Sequence, residues 1–333
     1  MSLPRLKDVA RRAFVGSGMQ RLRERFGSRA VVGIYHGVAE RDIGVADGGF
    51  IRKDEFVRHL RFYQRSRKVV TLAEVTAAIA SGRRLDPRWI VVTIDDAFAE
   101  TVDLVADVMG DLHLPWVLNV PAGLVDTPGT LWPQELRIAA LAFGPELAAA
   151  LPADDTQGMD SCSASQRLDA ANRLVRKLKR VPASQRQSLH AQAIASIGPD
   201  RWREAIDHWR HYRIVSSTIL RQVSESGVEI GAHGYWHEAL NDCVDVVTLE
   251  REVVDSRRRL AELTGVAPRH FAFPFGLECA MACDAVASAG YSAALTSRHH
   301  ALGSYGSRAI PFLPRVVCEW PLLNLRMILT RLS

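Results

Sequence analysis

Short runs of continuous apolar residues recur along this chain, and stretches of helical periodicity separate them. The runs are Ala30–His36, Lys68–Leu72, Trp89–Ile94, Pro115–Val120, Val228–Ala232, His270–Phe273, Tyr291–Leu295 and Phe312–Val317. Helical spacing is expected over about 53–66, from there to about Ser81 after the second run, over Ala99–Leu112 and over about 246–264. A strand that alternates sides between water and core shows period 2, whereas a strand buried on both faces reads as an unbroken apolar run. Unbroken runs alternating with helices therefore predict a parallel sheet covered by helices. Seven or eight such units predict closure, so the expected fold is α/β, a distorted (β/α)7-8 barrel.

The rhythm breaks between 133 and 213. That segment is rich in Ala and Arg, with helical runs expected around Gln134–Ala150, Ser165–Arg180 and Arg201–Tyr212 and a polar loop at Ala153–Ser165. It reads as a helical insertion between the first part of the barrel, 29–132, and the second, 214–333. Residues 1–28 read as a separate basic amphipathic segment, with Leu3, Leu6, Val9, Ala10, Ala13 and Phe14 at helical spacing. Eight basic residues against two acidic ones put +6 into residues 1–29, although the whole chain carries only +5. The body is thus close to neutral, which argues against a nucleic-acid footprint. A basic amphipathic segment can lie on an anionic membrane surface, so peripheral membrane contact through residues 1–28 is allowed, with a solvated helix packed on the domain as the other reading. No apolar run approaches the roughly 18 residues of a spanning helix. The first residues carry no apolar leader pattern, and a cytoplasmic placement is expected. Five cysteines at no framework spacing read as reduced packing residues.

Three clusters carry the chemistry, and each follows an expected strand. Asp95-Asp96 follows Trp89–Ile94, His233-Gly234-Tyr235-Trp236-His237 follows Val228–Ala232, and Pro274-Phe275-Gly276 follows His270–Phe273. In a parallel barrel the strand C-termini surround one mouth, so distant residues meet there. Two adjacent carboxylates repel unless a cation compensates. Two histidines four apart, with Asp96, make a His-His-Asp set with open positions. Zinc suits these donors, and other divalent ions fit too. Asp95 is then free to act as a general base.

Together these clusters resemble the polysaccharide deacetylase family, the family 4 carbohydrate esterases. Thr93-Ile94-Asp95-Asp96 is similar to its T-F-D-D-G motif and His233-x-x-x-His237 to its H-[ST]-x-x-H. Phe271-Ala272-Phe273-Pro274-Phe275-Gly276 is similar to the F-A-Y-P-[YF]-G of one branch. The flanks agree: Tyr35-His36-Gly37-Val38, Leu131–Leu136 and Leu313-Pro314-Arg315 resemble that branch's Y-H-x-V, W-x-E-L and L-P-R steps. The resemblance implies metal-dependent hydrolysis of an N-acetyl group from an amino sugar; the expected cytoplasmic placement favours a glycan precursor, lipid-linked for instance, as substrate over finished wall polymer. The resemblance also implies Asp96, His233 and His237 as metal ligands, Asp95 as base and the Phe275 N–H as oxyanion donor.

Three positions depart from the pattern. Ala97 stands for the glycine after the Asp pair, Gly234 for Ser or Thr, and Ala272 for an arginine that braces the base in many members. Arg315 is the expected replacement for that brace, unless it makes an unrelated barrel-end ion pair. His36, ending the first strand at the same mouth, is the expected general acid, unless it is a hydrogen-bonded structural histidine. His299 and His300 fit an acid motif poorly. His59, His113, His190, His208, His211 and His270 read as surface or helix residues. Two further functions are compatible with these residues: an amidase on a non-sugar substrate, and a catalytically degenerate glycan-binding homologue.

Overall fold

The computed structural model describes residues 29–41, 43, 49–302 and 309–331. The segment 1–28 and its expected helix lie outside them. The described residues form ten strands: β1 Val31–Tyr35, β2 Gly37–Ala39, β3 Phe50–Arg52, β4 Lys68–Val69, β5 Trp89–Ile94, β6 Val117–Val120, β7 Glu229–Ala232, β8 His270–Ala272, β9 Ala293–Thr296 and β10 Phe312–Val317. The helices are α1 Lys53–Ser66, α2 Leu72–Ala80, α3 Ala99–Asp111, α4 Trp132–Ala150, α5 Ala164–Leu178, α6 Ala183–Ile197, α7 Pro199–His208, α8 Ser217–Glu225, α9 Val246–Glu250, α10 Ser256–Thr264, α11 Ala280–Ser288 and α12 Leu322–Arg331.

All the ladders are parallel. They run β1-β10-β9-β8-β7-β6-β5, and β5 returns to β1, closing a seven-stranded barrel. The eighth expected unit, β4, does not enter the ring. It pairs with Trp89 and Ile90 at the start of β5, while β6 takes Thr93 and Ile94 farther along. β2 and β3 form a small separate sheet.

Alternation along each strand divides the side chains in two. Ile90, Val92 and Ile94 of β5 face the helices, with Leu118 and Val120 of β6 and Val31 and Tyr35 of β1. Val32, Val91, Val117, Leu295 and Leu313 fill the lumen. The same alternation turns Thr93, Asp95, Asn119, His233, His270 and Arg315 inward. Thus the N-terminal half of the lumen is apolar and its C-terminal half is polar.

Helices α4 to α7 pack on one another around their own core, which includes Trp132, Leu136, Leu174, Val175 and Trp202. The reading from sequence has three helices here; α6 makes a fourth, and a single helical turn, Ala153–Thr156, stands in the segment expected to be a loop. The sequence of α6 is mostly Ala, Gln and Ser, so its apolar periodicity is weak, and only Ala193, Ile197 and the stem of Arg186 are buried. No helix among the described residues is long and apolar enough to cross a membrane. Cys279, Cys283 and Cys318 are buried packing residues as expected, but Cys162 and Cys243 are exposed.

Candidate active site

Because every barrel strand runs the same way, the residues just after them gather at one mouth. His36 follows β1, Asp95 and Asp96 follow β5, His233 follows β7, Phe275 lies beyond β8 and Glu319 beyond β10. They line a cavity of about 430 Å³, together with Gln134, Arg137 and Lys179 from the helical insertion.

Asp96, His233 and His237 are all buried, and one donor atom from each lies within 4.8 Å of the others. The Asp96 Oδ1 stands 3.5 Å from His233 Nε2 and 3.3 Å from His237 Nε2. The two Nε2 atoms are 3.2 Å apart. His233 Nδ1 lies 2.8 Å from the carbonyl oxygen of Ala272, which can only accept, so Nδ1 donates and Nε2 is the nitrogen turned to Asp96 and His237. Burial pushes His237 down to about 4, so it is neutral, the form that binds a metal. Burial opposes the charge of Asp96, yet the facing imidazoles hold its carboxyl well below the usual range. Asp96 Oδ1 is a buried oxygen with no hydrogen bond. A buried carboxylate oxygen without a hydrogen bond, facing two imidazole nitrogens, fits a divalent cation.

Asp95 lies beside this group, its Oδ2 3.8 Å from His233 Nε2. Arg315 brackets it: Nη1 donates to Oδ1 and Nη2 to Oδ2, both at 2.8 Å. Asn119 Nδ2 donates to Oδ1 at 2.7 Å. Arg315 also donates to Thr93 Oγ1 at 3.1 Å, and both members of the pair are buried. Burial raises the carboxyl's pKa, but the Arg315 charge and hydrogen bonds outweigh it and hold Asp95 below the usual range. Arg315 and Asp95, 220 positions apart, are therefore joined in the lumen.

His36 is partly exposed, with its Nδ1 2.8 Å from a Glu319 carboxylate oxygen. Its backbone N–H donates to the same carboxylate. Burial lowers its pKa, but Glu319, Asp96 and Asp95 raise it further, to about 10. His299 is exposed at the rim of the same cavity.

The turns that present these groups are strained. Asp96, Ala97, His237 and Phe275 have φ of 69°, 56°, 60° and 58°, the left-handed region that non-glycine residues avoid. Such strain collects at functional sites. At Ala97 it is moderated: left-handed backbone costs about 1 kcal/mol, and the buried methyl returns about 0.8 kcal/mol. The missing glycine is therefore close to neutral. The ring of Phe275 packs edge-on against His237, centroids 4.4 Å apart, and against Trp132 at 5.7 Å.

Gly234 has a different explanation. Its φ is 76°, and a Cβ there would lie 2.3 Å from Glu252 Oε2. Glu252 thus fills the space that a side chain at 234 would take. Its carboxylate accepts the backbone N–H of Tyr235 at 2.9 Å, Trp236 at 2.8 Å and Glu238 at 3.1 Å. The turn carrying both histidines is thus wrapped around one buried anion, whose pKa burial pushes up to about 7. Glu252 sits in a π-helical turn, Arg251–Asp255, between α9 and α10. Two carbonyls of that turn are taken by side chains: Ser256 Oγ donates to Glu252 O at 2.6 Å and Tyr291 OH to Val253 O at 2.9 Å. Single π turns are common at functional sites.

The helical insertion grips the same turn from outside. Trp132 Nε1 donates to His237 O at 3.3 Å. Arg186 of α6 donates to the Glu238 carboxylate through Nε at 2.9 Å and also through Nη2, and both side chains are nearly fully buried. Replacing Arg186 by Met leaves Glu238 buried and unpaired. The expected result is about 3 kcal/mol of lost stability in a denaturant titration, together with roughly tenfold weaker metal binding. Wild-type values for both would show that the insertion is not anchored there.

Asn119, Glu252 and Glu319 do not figure in the sequence reading. Asn119 was visible as a polar residue inside an apolar run, and Glu252 and Glu319 gave no local signal. His270, read as a surface or helix residue, is a buried strand residue facing the lumen. Its Nε2 and Asn119 Oδ1 crowd Gly231, where a Cβ would lie 2.1 Å and 2.2 Å from them. His59, on α1, is also buried, with Nδ1 3.1 Å from Tyr35 OH.

Residues 201–294 match the family model for polysaccharide deacetylase. No curated protein sequence matches significantly. Among solved structures, IcaB from Ammonifex degensii is similar at 16% identity and TM-score 0.58, covering 92% of this chain and 98% of its own. The deacetylase PplD of Streptococcus pyogenes, determined with acetate, gives 11% identity and TM-score 0.56, covering 90% and 96%. A de-N-acetylase from Aggregatibacter actinomycetemcomitans gives 13% and 0.54, covering 90% and 100%. Residues 201–294 thus carry the polysaccharide deacetylase pattern, and the chain shares the (β/α)7 barrel fold of these solved structures.

Proposed function

We propose that the protein is a metal-dependent hydrolase that removes the N-acetyl group from an amino sugar within a glycan. One observation carries this reading: Asp96, His233 and His237 converge on a single point of an open cavity, beside a carboxylate clamped by Arg315. The matched family and the deacetylases named above supply the substrate class. A divalent ion bound there, with zinc first on its nitrogen and oxygen donors, supplies a Lewis acid for the acetamide carbonyl and lowers the pKa of water.

The chain's own residues do the rest. Asp95, ionised throughout the working pH range, accepts the proton of the attacking water. Arg315 and Asn119 fix its carboxylate plane, so the acceptor lone pair keeps one direction. The Phe275 N–H, presented by its left-handed turn, donates to the oxygen that becomes negative as the carbonyl is attacked. His36, held protonated by Glu319, delivers a proton to the departing amine nitrogen. Acetate and the free amino sugar are the products.

The test pairs two measurements on wild type and His233→Ala: metal content of the purified protein, and acetate release from a panel of N-acetylated sugars. One divalent ion per chain, lost in the variant together with acetate release, is the expected result. No ion after reconstitution with zinc, cobalt or nickel would overturn the metal centre. An ion without acetate release would overturn the sugar N-deacetylase.

A further inference from the structure

The helical insertion brings positive charge to the substrate cavity. Lys179, directly after α5, and Arg137 of α4 both line it. The Lys179 Nζ lies 3.8 Å from the centroid of the Phe275 ring, at the residue whose N–H faces the reacting carbonyl in the mechanism above. Its backbone is fixed as well, the N–H donating to Val175 O at 3.0 Å and the carbonyl accepting from Asn241 Nδ2.

The other charges at this mouth have partners. Asp95 is matched by Arg315 and His36 by Glu319, while Asp96 faces the cation position. Lys179 forms no ion pair with any described carboxylate; its neighbour is an aromatic face. Arg137 is held through Nε to Asn172 Oδ1 at 2.9 Å and through Nη1 to Gln134 Oε1, which fixes its side chain beside Lys179 at the cavity wall. Burial pushes the Lys179 pKa down to about 8, the mark of an ammonium short of compensating charge. Counting the described residues, the cavity with the ion bound is net positive, and an acetamido sugar without a charged group leaves that charge unmatched.

We propose that Lys179, supported by Arg137, forms an anion subsite in the cavity, and that the substrate carries a phosphate or carboxylate next to its acetamido sugar. This rests on the hydrolase reading for its substrate and adds a selectivity the barrel alone does not have. A charge-assisted contact in a half-buried site discriminates by about tenfold or more. Electrostatic matching also suppresses neutral competitors, because choosing them leaves a desolvated cation unpaired.

Three probes separate the sources of the anion: N-acetylglucosamine 1-phosphate, a glucuronate-linked N-acetylglucosamine disaccharide and neutral N,N′-diacetylchitobiose. Acetate release by the metal-loaded chain is measured for wild type, Lys179→Met and Lys179→Arg. The Met variant keeps the apolar stem on Phe275 and removes only the charge. At least one anionic probe is expected to exceed the neutral one at least tenfold in kcat/KM. That ratio should collapse in Lys179→Met and survive in Lys179→Arg. In parallel, dissociation constants are measured on metal-free protein, where no ion can hold the anion. Lys179→Met should bind the preferred anionic probe at least fivefold more weakly. A wild type with no anionic preference, or a ratio unchanged in Lys179→Met, overturns the subsite. Acetate release from none of the three overturns the hydrolase reading instead, and the binding measurement alone then decides the subsite.

Discussion

Installing the Ser of the family pattern at position 234 is expected to damage this protein. Gly234→Ser should cost about 2–4 kcal/mol of stability and weaken metal binding about 10- to 100-fold. Two effects add. The backbone at 234 is left-handed, which costs a residue with a Cβ about 1 kcal/mol. The new Cβ also overlaps Glu252 Oε2. The carboxylate must move and release the N–H of Tyr235 or that of Glu238, such a charged hydrogen bond being worth roughly 1.5–3 kcal/mol. Loosening that turn moves His237, and displaced support of a ligand typically lowers affinity by the stated factor. A metal titration and a denaturant melt on the single variants and on Gly234→Ser with Glu252→Ala measure it. The double variant should lose less than the sum of the singles, because the clash is gone. Wild-type stability and metal affinity in Gly234→Ser would mean that Glu252 does not hold the turn.

Removing Arg315 has the other large expected effect. Arg315 and Asp95 are a fully buried, bidentate pair. Breaking a buried pair from one side costs about 3–5 kcal/mol, because the remaining charge has no solvent. Arg315→Met should show that loss near neutral pH, and hydrolysis should fall with it. The pH dependence gives a second readout. In the wild type the Asp95 pKa lies below its unfolded value, so its stabilisation is present above about pH 4 and fades as pH falls through the folded value. In Arg315→Met, burial without the guanidinium raises the folded value above the unfolded one, and stability is lost as pH rises instead. The gap between the two proteins should therefore widen from pH 5 to pH 8. Adding Asp95→Asn to Arg315→Met should recover much of the stability and none of the activity. A single variant as stable as wild type at both pH values would show that the pair does not compensate itself.

The barrel was legible because strands buried on both faces must be apolar throughout. Trp89–Ile94 and Phe312–Val317 have their expected bounds. The chemistry-bearing clusters were legible because each follows such a run, and parallel strands bring their ends to one mouth. The Arg315 contact with Asp95 was accessible as an expectation from a motif that lacks its usual arginine. By contrast, α6 was hidden by its weak apolar periodicity.

What the sequence determined by itself was what depends on local pattern: which segments are the barrel strands, which residues follow them, and so the candidate donor set Asp96, His233 and His237; β2 and β3, outside the barrel, were not read from it. Tertiary structure alone decided what depends on register between distant strands. Closure at seven rather than eight follows from β5 meeting β1 while β4 pairs only beside its first two residues. The roles open to Asn119, His270, Glu252 and Glu319 follow from which way each side chain points once neighbouring strands are aligned. A lone Glu in a charged helix looks like any solvated Glu until the fold buries it under three N–H groups. Its burial there, with no room left for a side chain at 234, turns an apparent defect in a motif into a requirement for glycine.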